Sequence, residues 1–166
     1  LLREWFSERP EYASVEVVCR TYDFDPDTAF RQLESWVGEL SPALIVGESL
    51  GSCNALRIRR SDIPYIFVSP ALNAPLFMGY LAFLALVPGV TPLLDRIYRP
   101  RPGDRQPLHF TFSTMRKYRR LRHDILQCGD GTGRMDVHAF FGEHDHYRRT
   151  GVVSVRAWER QFGPGT

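Results

Sequence analysis

Apolar and polar positions alternate along this chain with two different periods. Residues 1–9 place Leu1, Leu2, Trp5 and Phe6 on one face of a helix that Pro10 ends. Residues 26–40 repeat the helical period with Phe30, Leu33, Trp36 and Val37, behind Asp25 as N-cap and Pro26 at the first helical position. Residues 152–162 do so again with Val155, Trp158 and Phe162. Four short runs read instead as strands: VEVVCR at 15–20, ALIV at 43–46, IPYIFV at 63–68 and DVHAFF at 136–141. Small residues after position 49, followed by Leu56 and Ile58, predict a helix packed closely on a sheet. Strands alternating with helices predict an α/β fold built on a parallel sheet.

Between residues 70 and 134 the alternation fails. An apolar stretch at 74–90 is broken by Gly79 and Pro88 and falls short of the roughly 20 residues of a membrane span, so it reads as a buried or lid helix without stable membrane insertion. Its Phe77, Met78 and Tyr80 suit an acyl pocket and equally suit core between lid and sheet. An RPRPG connector at 99–103 and a basic helix at about 114–126 follow. A long insert between two core strands usually covers a site, which predicts a cap at about 71–134 on a single domain spanning 1–166.

The run LIVGESLG ends the strand at 43–46 with Gly47-Glu48-Ser49-Leu50-Gly51, a G-x-S-x-G pattern between a strand and a helix. A turn this sharp requires small residues two away from its tip and pushes the serine oxygen out above the strand ends. The helix start directs partial positive charge at that oxygen, and the Leu50 N–H is placed to donate to an oxyanion. Ser49 is thus a candidate nucleophile, with a simple glycine-rich turn capped by Ser49 as the alternative.

With IPYIFVSP and the later Phe140-Phe141-Gly142-Glu143-His144-Asp145, this elbow resembles the α/β-hydrolase superfamily, in particular the small bacterial serine esterases. The resemblance covers most of the chain outside the insert. It implies a Ser-His-Asp hydrolase acting on an ester or thioester without metal or organic cofactor. It also implies Asp145 as the acid, since that family orders its triad serine, acid, histidine. The alternative for Asp145 is a loop aspartate capping the next helix.

A serine hydroxyl needs a base to become nucleophilic at neutral pH. The resemblance places the histidine beyond the next strand, and none follows His146. His138 sits in a strand pattern and reads as buried. His144 and His146 flank Asp145 on its own loop, and His109 and His123 fall in the insert. The family's first core strand, which carries a second oxyanion donor and lies between the strands at 15 and 43, has no counterpart here. Those two strands then cannot pair directly. Both ends read as cut, so the expectation is a fragment, lacking the first core strand and the last, that folds poorly and turns over no substrate by itself. The opposing expectation is a non-catalytic protein of this fold that binds a ligand or partner through its basic cap.

Composition sharpens the picture in two places. The net charge of +2 conceals a segment at 95–123 of about +7, leaving about −5 elsewhere. Arg116, Lys117, Arg119, Arg120 and Arg122 suit an anionic substrate or acidic partner, or simply a solvated lid face. No motif argues for nucleic acid. Cys19, Cys53 and Cys128 form neither a disulfide framework nor a zinc knuckle, and with no visible leader they predict a reducing, cytoplasmic setting. Asp23, Asp25 and Asp27 lack the glycine a calcium loop needs, and His144 with His146 makes a weak metal pair. Cys53 reads as a small buried residue.

Overall fold

The computed structural model describes residues 2–97, 108–126 and 135–164. In chain order it contains α1 (Leu2–Ser7), a 3-10 turn at Pro10–Tyr12, α2 (Pro26–Leu40), β1 (Ile45–Glu48), α3 (Leu50–Ile58), β2 (Tyr65–Val68), α4 (Ala74–Leu84), α5 (Val90–Ile97), α6 (Phe112–Leu126), β3 (Val137–Phe140), α7 (His146–Arg149) and α8 (Val155–Phe162). The fold is mixed α/β around a three-stranded parallel sheet of order β1-β2-β3.

The register aligns Ile45, Tyr65 and Val137, then Val46, Ile66 and His138, then Gly47, Phe67 and Ala139, then Glu48, Val68 and Phe140. Alternate residues of a strand point to opposite faces. One face therefore carries Tyr65, Phe67 and Val137, all buried, and the helices pack on it. Trp158 of α8 lies edge-on to Phe67 at 5.6 Å and packs on Phe162 at 4.2 Å. Leu56 of α3 and Met115, Tyr118, Leu121 and Ile125 of α6 complete the same core.

Helix α6 shows how one sequence period serves two environments. Its residues 115, 118, 121 and 125 form an apolar stripe at helical spacing and are buried. Arg116, Arg119 and Arg120 between them face outward, while Arg122 is half-buried with its Nε enclosed. At Gly79 α4 lies against α6, where a methyl would sit in ordinary contact, 3.6 Å from the Arg119 side chain. So α6, expected in a cap, is built into the core beside α2, α3 and α4. Residues 98–107 and 127–134, including the RPRPG connector and Cys128, lie outside the described residues.

Helix α2 starts as its sequence requires. The Asp25 carboxylate accepts hydrogen bonds from the N–H groups of Asp27 and Thr28 at 3.1 and 3.2 Å, and it pairs with Lys117 at 2.5 Å. Asp25 thus serves as helix cap and ion-pair partner.

Three expectations need correction. Residues 15–20 do not form a strand: Val15 and Val18 are exposed, and the segment hangs on side-chain contacts such as Arg3 Nε to the Val17 carbonyl at 2.8 Å. β-Branched residues favour extended backbone, but a strand exists only against a neighbour, and among the described residues β1 pairs with β2 alone. The stretch 74–90 is not one helix; α4 stops at Leu84, and Gly89, at φ 87°, precedes α5. His138 is not buried; it occupies the open face of the sheet and pairs with Asp136 at 3.0 Å. Among the described residues no helix is long and apolar enough to cross a membrane.

Candidate active site at the carboxyl ends of the strands

Ser49 joins β1 to α3 in a backbone conformation of φ 51° and ψ −122°. That region is costly for a residue with a Cβ, about 1–3 kcal/mol, and it persists only where surrounding structure enforces it. The enforcement is visible. The Ser49 N–H donates to the Val68 carbonyl at 3.0 Å, and its own carbonyl accepts from Ser52 and Ala71 at 3.2 Å each. The side chain makes no capping hydrogen bond to α3. Its hydroxyl is thus held out of the helix-capping role that a serine before a helix usually takes.

The two motif glycines answer to different neighbours. A Cβ on Gly47 would meet the Phe67 ring at 3.0 Å and the Ser52 Cα at 3.1 Å. A Cβ on Gly51 would meet only the Tyr22 hydroxyl, at 3.1 Å. Gly47 therefore lets the helix return tightly over the sheet, and Gly51 makes room for Tyr22. Leu50 opens α3, so its N–H has no carbonyl one turn earlier within the helix to reach.

Ser69 and Asp145 follow the next two strand ends. Ser69 succeeds β2 with φ 47°, and its N–H donates to the Phe140 carbonyl at 2.7 Å. Asp145 follows β3 and caps α7, accepting from the Tyr147 N–H at 2.8 Å. The Ser69 side chain also lies close enough to the Asp145 carboxylate to favour its charged form. Ser69, then the Tyr147 N–H, holds the carboxyl below its ordinary pKa. Asp145 is therefore ionised at neutral pH and is also the helix cap that the alternative reading expected. With neighbouring strands about 4.8 Å apart, the ends of β1 and β3 are about 10 Å apart. Ser49, Ser69 and Asp145 thus follow β1, β2 and β3 in a row along the carboxyl edge of the sheet.

No histidine pairs with Ser49 among the described residues. His109 approaches Asp95 at 3.7 Å, and His138 is held by Asp136. His144 and His146 lie exposed on the Asp145 side of the row, with the His146 ring against Tyr147 at 3.9 Å. His123 faces outward from α6. Of the pocket candidates, Met78 packs on the core, whereas Phe77 and Tyr80 are exposed on the outer side of α4.

Ser69, Tyr22 and Asn54 belong to the surroundings of the elbow and carry no motif. Asn54 is buried on α3 with neither amide atom hydrogen-bonded. Burial raises the Tyr22 phenol above its ordinary pKa, an effect the nearby Asn54 amide partly offsets, although the geometry falls short of a hydrogen bond. Cys53 is fully buried, donates to the Ala71 carbonyl at 3.3 Å, and has its thiol pushed up to about 12 by burial. That excludes a thiolate at neutral pH. Among the described residues no three His, Cys, Asp or Glu side chains gather as a metal site. Compared with protein-family models, with curated proteins and with solved structures, the chain matches none.

Proposed function

We infer that this chain carries the nucleophile and acid of a serine hydrolase of the α/β-hydrolase type, cleaving an ester or thioester. The observation that supports the reading best is Ser49 itself. A serine at a strand-to-helix turn is held at positive φ by three backbone hydrogen bonds, yet its hydroxyl does not cap the helix. Strain maintained at one serine whose hydroxyl does not cap the helix is the mark of a functional site more than of a turn.

In this mechanism Ser49 Oγ attacks the acyl carbonyl. Its proton passes to a histidine supplied from outside these 166 residues, and Asp145 orients that histidine and stabilises its cation. The Leu50 N–H and the start of α3 stabilise the oxyanion. The alcohol or thiol leaves with the proton, and water then hydrolyses the acyl-enzyme. The chemistry calls for no metal or organic cofactor, the substrate is a small molecule rather than a nucleic acid, and the setting is cytoplasmic.

The test is covalent labelling of the full chain by a fluorophosphonate, read by intact mass. Labelling and ester hydrolysis are expected to vanish in Ser49→Ala and to survive in Cys53→Ala; hydrolysis that persists in Ser49→Ala refutes the mechanism. Ser49→Gly is expected to lose labelling while gaining about 1 kcal/mol of stability, because glycine adopts this backbone without strain. The arrangement of the histidines favours a second reading, a non-catalytic protein of the same fold that binds through α6. A full chain that resists the reagent altogether would select it.

A further inference from the structure

We propose that the groove between α2, α3 and α6 binds a soluble phosphorylated ligand of about nucleotide size, with Arg116, Arg119 and Arg120 as its phosphate ligands. The groove holds about 500 Å³ and is lined by these three arginines with Arg57, His123, Asp27 and Asp124. Volumes in this range suit a small ligand rather than a flat partner surface.

The charge pattern argues for an anion. Arg116, Arg119, Arg120 and His123 fall at i, i+3, i+4 and i+7, a single stripe on α6 opposite its buried face. Like charges at these spacings destabilise a helix, and the stripe contains no acid to relieve them. The two acids of the groove are already engaged. Arg57 holds Asp27 at 3.1 Å and Asp124 at 3.5 Å while donating to the Pro26 carbonyl at 3.0 Å. Lys117, on the flank of the stripe, pairs with Asp25. Elsewhere arginines find carboxylates, as Arg20 does with Glu39 and Arg60 with Asp62. Arg116, Arg119 and Arg120 have no ion-pair partner among the described residues. Three guanidinium groups lining one concavity suit the several oxygens of a phosphate better than the two of a carboxylate.

The site does not depend on Ser49 being a nucleophile. Arg57 lies eight residues along α3 from Ser49, about 12 Å down the helix axis, so the groove sits near the far end of that helix from the elbow.

The experiment is calorimetric titration of the full chain with ADP at low salt, with adenosine and phosphatidic acid vesicles as the other probes. ADP is expected to bind at least about tenfold more tightly than adenosine, and the paired substitution Arg119→Gln with Arg120→Gln should weaken ADP about tenfold or more. Arg119→Lys should weaken it less, because charge remains while the fork is lost. Arg156→Gln, on the exposed side of α8, should leave binding unchanged. These arginines are exposed, so circular dichroism of each variant should match that of the parent. Equal ADP affinity in the double variant, equal affinity for adenosine, or binding to vesicles but not to ADP would each overturn the proposal.

Discussion

The two faces of the sheet are written in nearly the same alphabet and have opposite fates. Tyr65, Phe67 and Val137 on one face are buried to 5 % exposure or less, under α3, α6 and α8. On the other face Val46, Val68 and Phe140 are 47 %, 40 % and 61 % exposed. Parallel strands are usually covered on both sides and therefore read as continuous apolar runs, as YIFV does here. The sequence thus equips both faces for burial, while helices cover one. The comparison teaches that apolar composition states a capacity for burial, and that packing decides where it is used.

The largest effect should come from the covered face. Phe67→Ala removes a fully buried ring that meets Tyr65 and Trp158 and is expected to cost about 3–5 kcal/mol in chemical denaturation. A cost below about 1 kcal/mol would mean that this face is not the core. Gly47→Ala probes the same face from the elbow. The new methyl meets Phe67 and the Ser52 backbone, and about 1–3 kcal/mol should be lost. Gly38, where a Cβ meets nothing within 4 Å, provides the comparison: Gly38→Ala should be tolerated.

On the open face the expectation reverses. Phe140→Ser should change stability by no more than about 0.5 kcal/mol, since the ring is already in water, and should lower the tendency to self-associate measured by light scattering. A loss near that of Phe67→Ala would show that the two faces are equivalent after all.

The smallest effect concerns the end of β3. Asp145 has its folded pKa held below the ordinary value of 3.8 by Ser69 and Tyr147. A depressed acid contributes stability above its unfolded pKa, and that contribution fades as pH falls through the folded value. Denaturation midpoints should therefore differ between the parent and Asp145→Asn at neutral pH and converge below about pH 4. A difference that grows as the pH is lowered would reverse the sign of this assignment.

Much of the site could be read without coordinates because its signals are local. A strand, two glycines around Ser49 and a small-residue helix lie within a dozen positions, and steric necessity at Gly47 links them. Asp145 is implied by the resemblance that its own loop carries. Ser69 has no such signal, although it lies beside Asp145. Its role depends on β2 lying between β1 and β3, a relation between residues far apart in sequence. His138 was misplaced for a similar reason: alternation places it opposite Val137 without saying which of the two faces is covered.

The sequence by itself determined α1, the capped start of α2, α3, three of the strands, the glycine-flanked turn at Ser49 and the basic character of α6. Each follows from backbone sterics, capping or a period of a few residues, which act before any tertiary contact forms. Only the tertiary structure decided that, among the described residues, 15–20 find no strand partner and one sheet face stays open, that α6 belongs to the core and that Ser69 lies beside Asp145. Those outcomes depend on which surfaces meet, because hydrophobic burial is non-directional and strand pairing requires a neighbour.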